Sequence, residues 1–204
     1  MKYRWFAIQL VVACVIVFIF QNIYDGLTDE YALVSATVLA KPWTLITSIF
    51  LHGSFEHLFY NMFALALFGS ILEKIIGGKK FLILFFVSGI ISGIGSVFFY
   101  TASIGASGAI FGVMGTLAAL RPRMTIYVSF VPMPMAVAVL LWAAGDLIGI
   151  FAPDEVAHAA HLFGLAFGII VGLLLREKHK ENKVRRRPID ISEEEFEEWE
   201  DRWM

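Results

Sequence analysis

Apolar residues in this chain run in long blocks rather than in alternation with polar ones. A bilayer core takes roughly 20 mostly apolar residues per helix. Blocks of that kind fall near residues 5–22, 57–76, 81–101, 106–120, 133–151 and 157–175. The fifth is the least regular, because Pro132 and Pro134 stand at its start. The first is preceded by Lys2 and Arg4, as a signal peptide would be. The sequence FQNIYDG that follows offers no small-x-small cleavage pattern, so a retained span is expected. Residues 23–56 are too polar to span, yet they carry Trp43, Leu45, Ile46, Ile49, Phe50, Leu51 and Phe55. Such a connection is expected to lie in the bilayer interface or dip into it, with its backbone covered by protein or water. The pattern therefore predicts an all-α fold, a polytopic bundle of six transmembrane helices with a membrane-associated outer loop between helices 1 and 2.

Composition agrees. Of 204 residues, 58% are hydrophobic and 17% charged, against about a quarter charged in soluble domains. Mean hydropathy is +0.74. The net charge of -2 hides a segregation that orients the bundle. Lys2 and Arg4 precede span one; Lys74, Lys79 and Lys80 lie at the turn after span two; Arg121 and Arg123 follow span four. Arg176, Lys178, Lys180, Lys183 and Arg185 to Arg187 follow span six. With six alternating spans, these groups share one side. The other side holds Lys41 as its one basic residue, with Asp25, Asp29, Glu30, Glu56, Asp154 and Glu155. The positive-inside rule then places both termini in the cytoplasm. Beyond Arg176 a basic run (KVRRRP) precedes an acidic one (ISEEEFEEWEDRW). Residues 177–204 are expected to be a cytosolic tail, disordered or a short helix, with its basic part against anionic lipid. Residues 1–176 form the expected membrane domain. No broad basic face points to nucleic acid, and Cys14, the single cysteine, rules out an intrachain disulfide.

Ionisable groups inside apolar spans mark function by default. Among the polar groups there are His57 with Asn61 in span two, Asp146 in span five, and His158 and His161 in span six. Ser107 stands at the start of span four, and His52 lies just before span two. Gly105, Gly108, Gly112 and Gly115 recur at helical spacing beside Ser107. Gly164, Gly168 and Gly172 do so after His161. Two such stripes let helices approach closely, which would bring Ser107 to His161 near the outer ends of both. A neutral histidine can take the proton of a serine hydroxyl and make it a nucleophile. The free N–H groups of a helix first turn favour an oxyanion. His57 and Asn61, at i and i+4, share one face and can donate to the same oxyanion. Phe111 is core packing, with a stack against the His161 ring as a second role. Asp146 is read as a packing or capping group, with no acidic third member assigned and a supporting role left open. No metal is expected, since no carboxylate or cysteine joins the histidines at a familiar ligand spacing.

Three blocks in order, HGSFEHLFYNMFALALFG (52–69), GASGAIFGVMG (105–115) and HLFGLAFG (161–168), resemble the rhomboid family of intramembrane serine proteases. The resemblance covers about residues 5–175. It implies that Ser107 is the nucleophile and His161 its general base. His57, Asn61 and Gly105 serve the oxyanion, and region 23–56 is the sideways outer loop. Trp43-Thr44 replaces the Trp-Arg of many relatives, which removes an arginine anchor from that loop. The implied form is minimal and prokaryotic-type, multi-pass in a cell membrane. Its site is toward the outer face, its partners are the lipid bilayer and transmembrane protein substrates, and it needs no cofactor. Two rival readings remain: a non-catalytic rhomboid-like protein that binds membrane proteins, and a small transporter using His57, Asp146 and His161 as a proton relay.

Overall fold

The structure is a computed structural model and describes residues 4–152, 154, 156–185, 198, 200 and 202. Lys2, Glu155, Arg186, Arg187 and most of the acidic tail lie outside the described residues. The chain is predominantly helical. Helix α1 is Phe6–Ile23, α2 Leu27–Tyr31, α3 Thr44–Thr47, α4 Phe55–Ala64, α5 Ser70–Ile76 and α6 Gly78–Ser96. Helices α7, α8 and α9 are Ser107–Leu120, Met135–Gly149 and His158–Arg185. A π-helical stretch, Leu65–Gly69, joins α4 to α5, so Phe55–Ile76 runs on as one apolar helix. Among the described residues, four helices are long and apolar enough to cross a membrane: Phe6–Ile23, Phe55–Ile76, Gly78–Ser96 and His158–Arg176. Ser107–Leu120 and Met135–Gly149 are apolar but shorter.

Several boundaries differ from the sequence expectation. Helix α6 stops at Ser96 rather than running to residue 101, because strand β2 (Ala102–Ser103) pairs antiparallel with β1 (Leu33–Val34). Residues 125–134 form a hairpin rather than a helix start. Strand β3 (Thr125–Val128) pairs with β4 (Val131–Pro134) through Ser129 and Phe130, both at positive φ. Two left-handed residues make the turn whose twist suits a two-residue hairpin. Pro132 and Pro134 are tolerated because the ribbon has only edge strands. Helix α9 continues nine residues beyond Arg176, into the part expected to be tail.

The centre of the molecule is α7, packed between α6 and α9. Gly108, Gly112, Val113, Gly115, Thr116 and Leu117 are all buried. The two glycine stripes do meet, though not face to face. A Cβ on Gly164 would overlap the Gly108 carbonyl, and one on Gly168 the Gly112 carbonyl. Stripe α9 thus lies directly on the α7 backbone. A Cβ on Gly108 or Gly112 would instead strike Ser92 or Ser88 of α6, so α7 offers its glycines to α6 as well. Hydroxyls stitch the three together: Ser92 Oγ donates to the Ala160 carbonyl at 2.8 Å and Thr116 Oγ1 to the Gly168 carbonyl at 2.8 Å.

The Phe55–Ile76 helix is held at both ends by α1. Near one end, Glu73, 1% exposed, accepts from Arg4 N–H at 3.2 Å and Ala7 N–H at 3.1 Å. Its carboxylate satisfies free amides at the α1 N-terminus, where a negative charge also suits the helix dipole. At the other end, Gln21 clasps the backbone of His52. His52 N–H donates to Gln21 Oε1 at 3.0 Å, and Gln21 Nε2 donates to the His52 carbonyl at 3.3 Å. In the 23–56 connection Thr44 is buried and donates to the Lys41 carbonyl at 2.7 Å. Lys41 pairs with Glu30 at 2.8 Å on the surface.

Candidate functional site

Ser107 is the first residue of α7 and is half-buried. The preceding turn needs Gly105. Its φ is +118°, and a Cβ there would sit 2.7 Å from the His57 ring while also approaching Ser107 Oγ. Gly105 therefore lies before the helix, not on the helical stripe read from its spacing. Its lack of a side chain lets the His57 ring pack directly against the turn that leads into Ser107. The first α7 amide bond is Ile110 N–H to the Ala106 carbonyl. The N–H groups of the turn around Ser107 thus remain free of the helical ladder.

His161 comes from the first turns of α9, whose start is fixed by Ala159 N–H donating to Tyr100 Oη at 3.0 Å. The His161 Nε2 lies 2.8 Å from Ser107 Oγ. Its ring stacks on Phe111 with centroids 4.4 Å apart and planes 6° from parallel. Phe111 is one helical turn beyond Ser107, so α7 supplies both the hydroxyl and the surface that holds the imidazole.

His57 and Asn61 lie on α4, which begins with Ser54 as its cap: His57 N–H donates to Ser54 Oγ at 3.1 Å. Gly53 N–H reaches His57 Nδ1 at 3.5 Å, the outer limit of a hydrogen bond. This leaves His57 Nε2 toward the Gly105 turn. Asn61 is buried, and its Nδ2 donates to the His57 carbonyl at 2.9 Å. One of the two amide hydrogens is thus used inside α4. His52 packs edge-on against His57, centroids 5.1 Å apart. Its Nδ1 lies 3.2 Å from the Phe50 carbonyl. Burial, and then the neighbouring His57, push His52 down to about 4, against the opposite pull of the Phe50 carbonyl.

Asp146 is the residue whose place the sequence did not disclose. It is buried on α8, and its Oδ1 lies 3.0 Å from His161 Nδ1 and 2.6 Å from His158 Nδ1. His158 Nε2 in turn lies 3.2 Å from Asp154 Oδ2. Asp154 is held below the usual carboxylate range, first by the Val156 N–H and then by His158. No carboxylate joins the histidines at a familiar ligand spacing in the sequence, yet the fold brings ligand atoms of Asp146, His158 and His161 all within 4.8 Å of one another. That set can hold a divalent cation. However, both ring nitrogens of His161 already have partners in Ser107 and Asp146. The signal available beforehand was the bare presence of an acid inside an apolar helix. Its partner could not be read, because Asp146 and His161 sit on different helices.

The Rhomboid domain family matches residues 39–178. YdcA, a rhomboid-family protein of Bacillus subtilis, is 33% identical over 139 residues, covering 67% of this chain and 68% of the relative. The mitochondrial Rhomboid protein 1 of Saccharomyces cerevisiae is 30% identical over 172 residues, covering 78% of this chain and 49% of the relative. Rhomboid protease GlpG of Yersinia pseudotuberculosis is 27% identical over 175 residues, covering 80% of this chain and 60% of the relative. The chain thus spans only about half the length of the yeast relative. With its apolar helices and this match over more than half its length, the chain is a multi-pass integral membrane protein and belongs to the rhomboid family.

Proposed function

We propose that the chain is an intramembrane serine endopeptidase that cleaves transmembrane segments of membrane proteins with a Ser107–His161 dyad. The observation that carries the reading is the 2.8 Å contact between His161 Nε2 and Ser107 Oγ at the N-terminus of α7. The naming of the relative GlpG as a rhomboid protease supports it. In this reading six spans cross the bilayer, the shorter α7 and α8 included, and residues 23–56 form the outer loop. Residues 1–176 make up the protease domain, with 177–204 as a cytosolic tail. Both termini are cytoplasmic and the site opens to the outer face.

The chemistry is acyl transfer in two halves. Ser107 Oγ attacks the scissile carbonyl carbon while its proton passes to His161 Nε2. The oxyanion is held by His57, Asn61 and the Ser107 N–H, at the turn that Gly105 keeps open. Collapse breaks the C–N bond, and His161 gives its proton to the leaving amine. Water then attacks the acyl-enzyme, loses its proton to His161, and releases the new carboxyl end as the proton returns to Ser107. Phe111 keeps the imidazole in plane throughout.

The test is cleavage of a model single-span substrate in liposomes. Ser107→Ala is expected to abolish it while the variant elutes and melts like the native chain. Undiminished cleavage by that variant would contradict the proposal. A non-catalytic binding role would leave native and variant equally inactive.

A further inference from the structure

We propose that Asp146 is a positioning residue for His161, so that this protein works with a Ser107–His161–Asp146 triad rather than an unassisted dyad. The inference rests on the protease reading above. Asp146 Oδ1 meets His161 Nδ1 at 3.0 Å on the side of the ring opposite Ser107. A carboxylate can only accept, so this contact fixes the proton on Nδ1 and leaves the Nε2 lone pair for the serine proton. When His161 becomes cationic, the buried charge opposite it is already in place.

His158 completes the device. Its two ring nitrogens both face carboxylate oxygens, Asp146 Oδ1 at 2.6 Å and Asp154 Oδ2 at 3.2 Å. Both ring nitrogens of His158 are thus engaged by carboxylate oxygens. Buried Asp146 is thereby paired, which a lone carboxyl in an apolar bundle would not be. The ring is wedged against Gly149, where a Cβ would overlap it. Asp146 is thus held from outside by His158 and presents the same oxygen inward to His161. Among the described residues, the titratable groups facing His161 are His57 from α4, Asp146 from α8 and His158 from its own helix.

The experiment uses the full chain in liposomes with EDTA present, so that no divalent cation occupies the Asp146, His158 and His161 set. Cleavage kinetics of Asp146→Asn, Asp146→Ala and Asp146→Glu are measured from pH 5 to 9 on material whose melting is checked first. Asp146→Asn keeps the shape and loses the charge. It is expected to lower kcat on the order of 10²-fold with KM nearly unchanged. Asp146→Glu is expected to recover more activity than Asp146→Ala, although it fits the space less well. A native kcat in folded Asp146→Asn overturns the proposal, as does Asp146→Glu no better than Asp146→Ala. Loss of activity in Ser107→Ala alongside a fully active Asp146→Asn would remove this inference and leave the dyad standing.

Discussion

His161 Nε2 and Ser107 Oγ are 2.8 Å apart although 54 residues separate them in the chain. What brings them together is backbone contact: Gly164 and Gly168 lie on the carbonyls of Gly108 and Gly112. The distance between the two side chains is therefore set by α9 glycines one to two helical turns beyond His161.

Substitution of Gly168 by Ala follows from that contact. The added methyl would overlap the Gly112 carbonyl, which is main chain and has no rotamer to yield. Overpacking of this kind costs about 1–3 kcal/mol. Gly168→Ala is expected to lower the melting temperature in detergent and to reduce cleavage by separating α7 from α9. Gly145→Ala is the control, since a Cβ there meets nothing within 4 Å. Equal melting of the two variants would refute the account of how α7 and α9 are held.

His57 and Asn61 are expected to act on the rate rather than on folding. Loss of one oxyanion donor costs on the order of 10²–10³ in kcat. His57→Ala removes the Nε2 donor nearest Gly105 and should show that loss with little change in KM. Asn61→Ala should be milder, because one amide hydrogen of Asn61 already serves the His57 carbonyl. Single-turnover cleavage rates distinguish the two, and a larger loss in Asn61→Ala would reverse their assigned weights.

Glu73 anchors α1 through two amides. Glu73→Ala leaves the buried Ala7 N–H without an acceptor, at about 1–3 kcal/mol. A lowered melting temperature with unchanged kcat on the folded fraction is expected. Limited proteolysis near the N-terminus reports release of α1.

His52 gives the chain a pH-dependent stability. The folded form holds it neutral down to about 4, whereas an unfolded histidine protonates at about 6.5. Between those values the unfolded state binds more protons. Stability is therefore full above about 6.5 and falls as the pH is lowered toward 4. The drop in melting temperature from pH 7 to pH 4.5 should be larger in the native chain than in His52→Gln. Equal drops would assign the acid sensitivity elsewhere.

Much of this was legible from the chain. Apolar blocks located the long helices, because a bilayer imposes their length. Glycine spacing foretold that α7 and α9 approach closely, since close approach has few other solutions. What stayed hidden depended on partners from other helices. Asp146 lies 15 residues before His161, a spacing without meaning until α8 and α9 are packed. Glu73 was lost in an apolar run because its partners are main-chain amides, which no sequence displays. The hairpin at 125–134 lacks the Asn-Gly signal of its turn type, and its two prolines resembled a helix start. Gly105 was counted into a helical stripe because its spacing fits, whereas its positive φ belongs to the turn before the helix.

The central claim, that Ser107 is a nucleophile activated by His161, is tested most directly by covalent labelling with a fluorophosphonate. Attack by Ser107 Oγ on phosphorus displaces fluoride and leaves a stable adduct. Mass spectrometry of the membrane-reconstituted chain is expected to find one adduct, on the peptide bearing Ser107. Labelling should be lost in Ser107→Ala and strongly slowed in His161→Ala. An unlabelled native chain, or an adduct that persists in Ser107→Ala, would contradict the account.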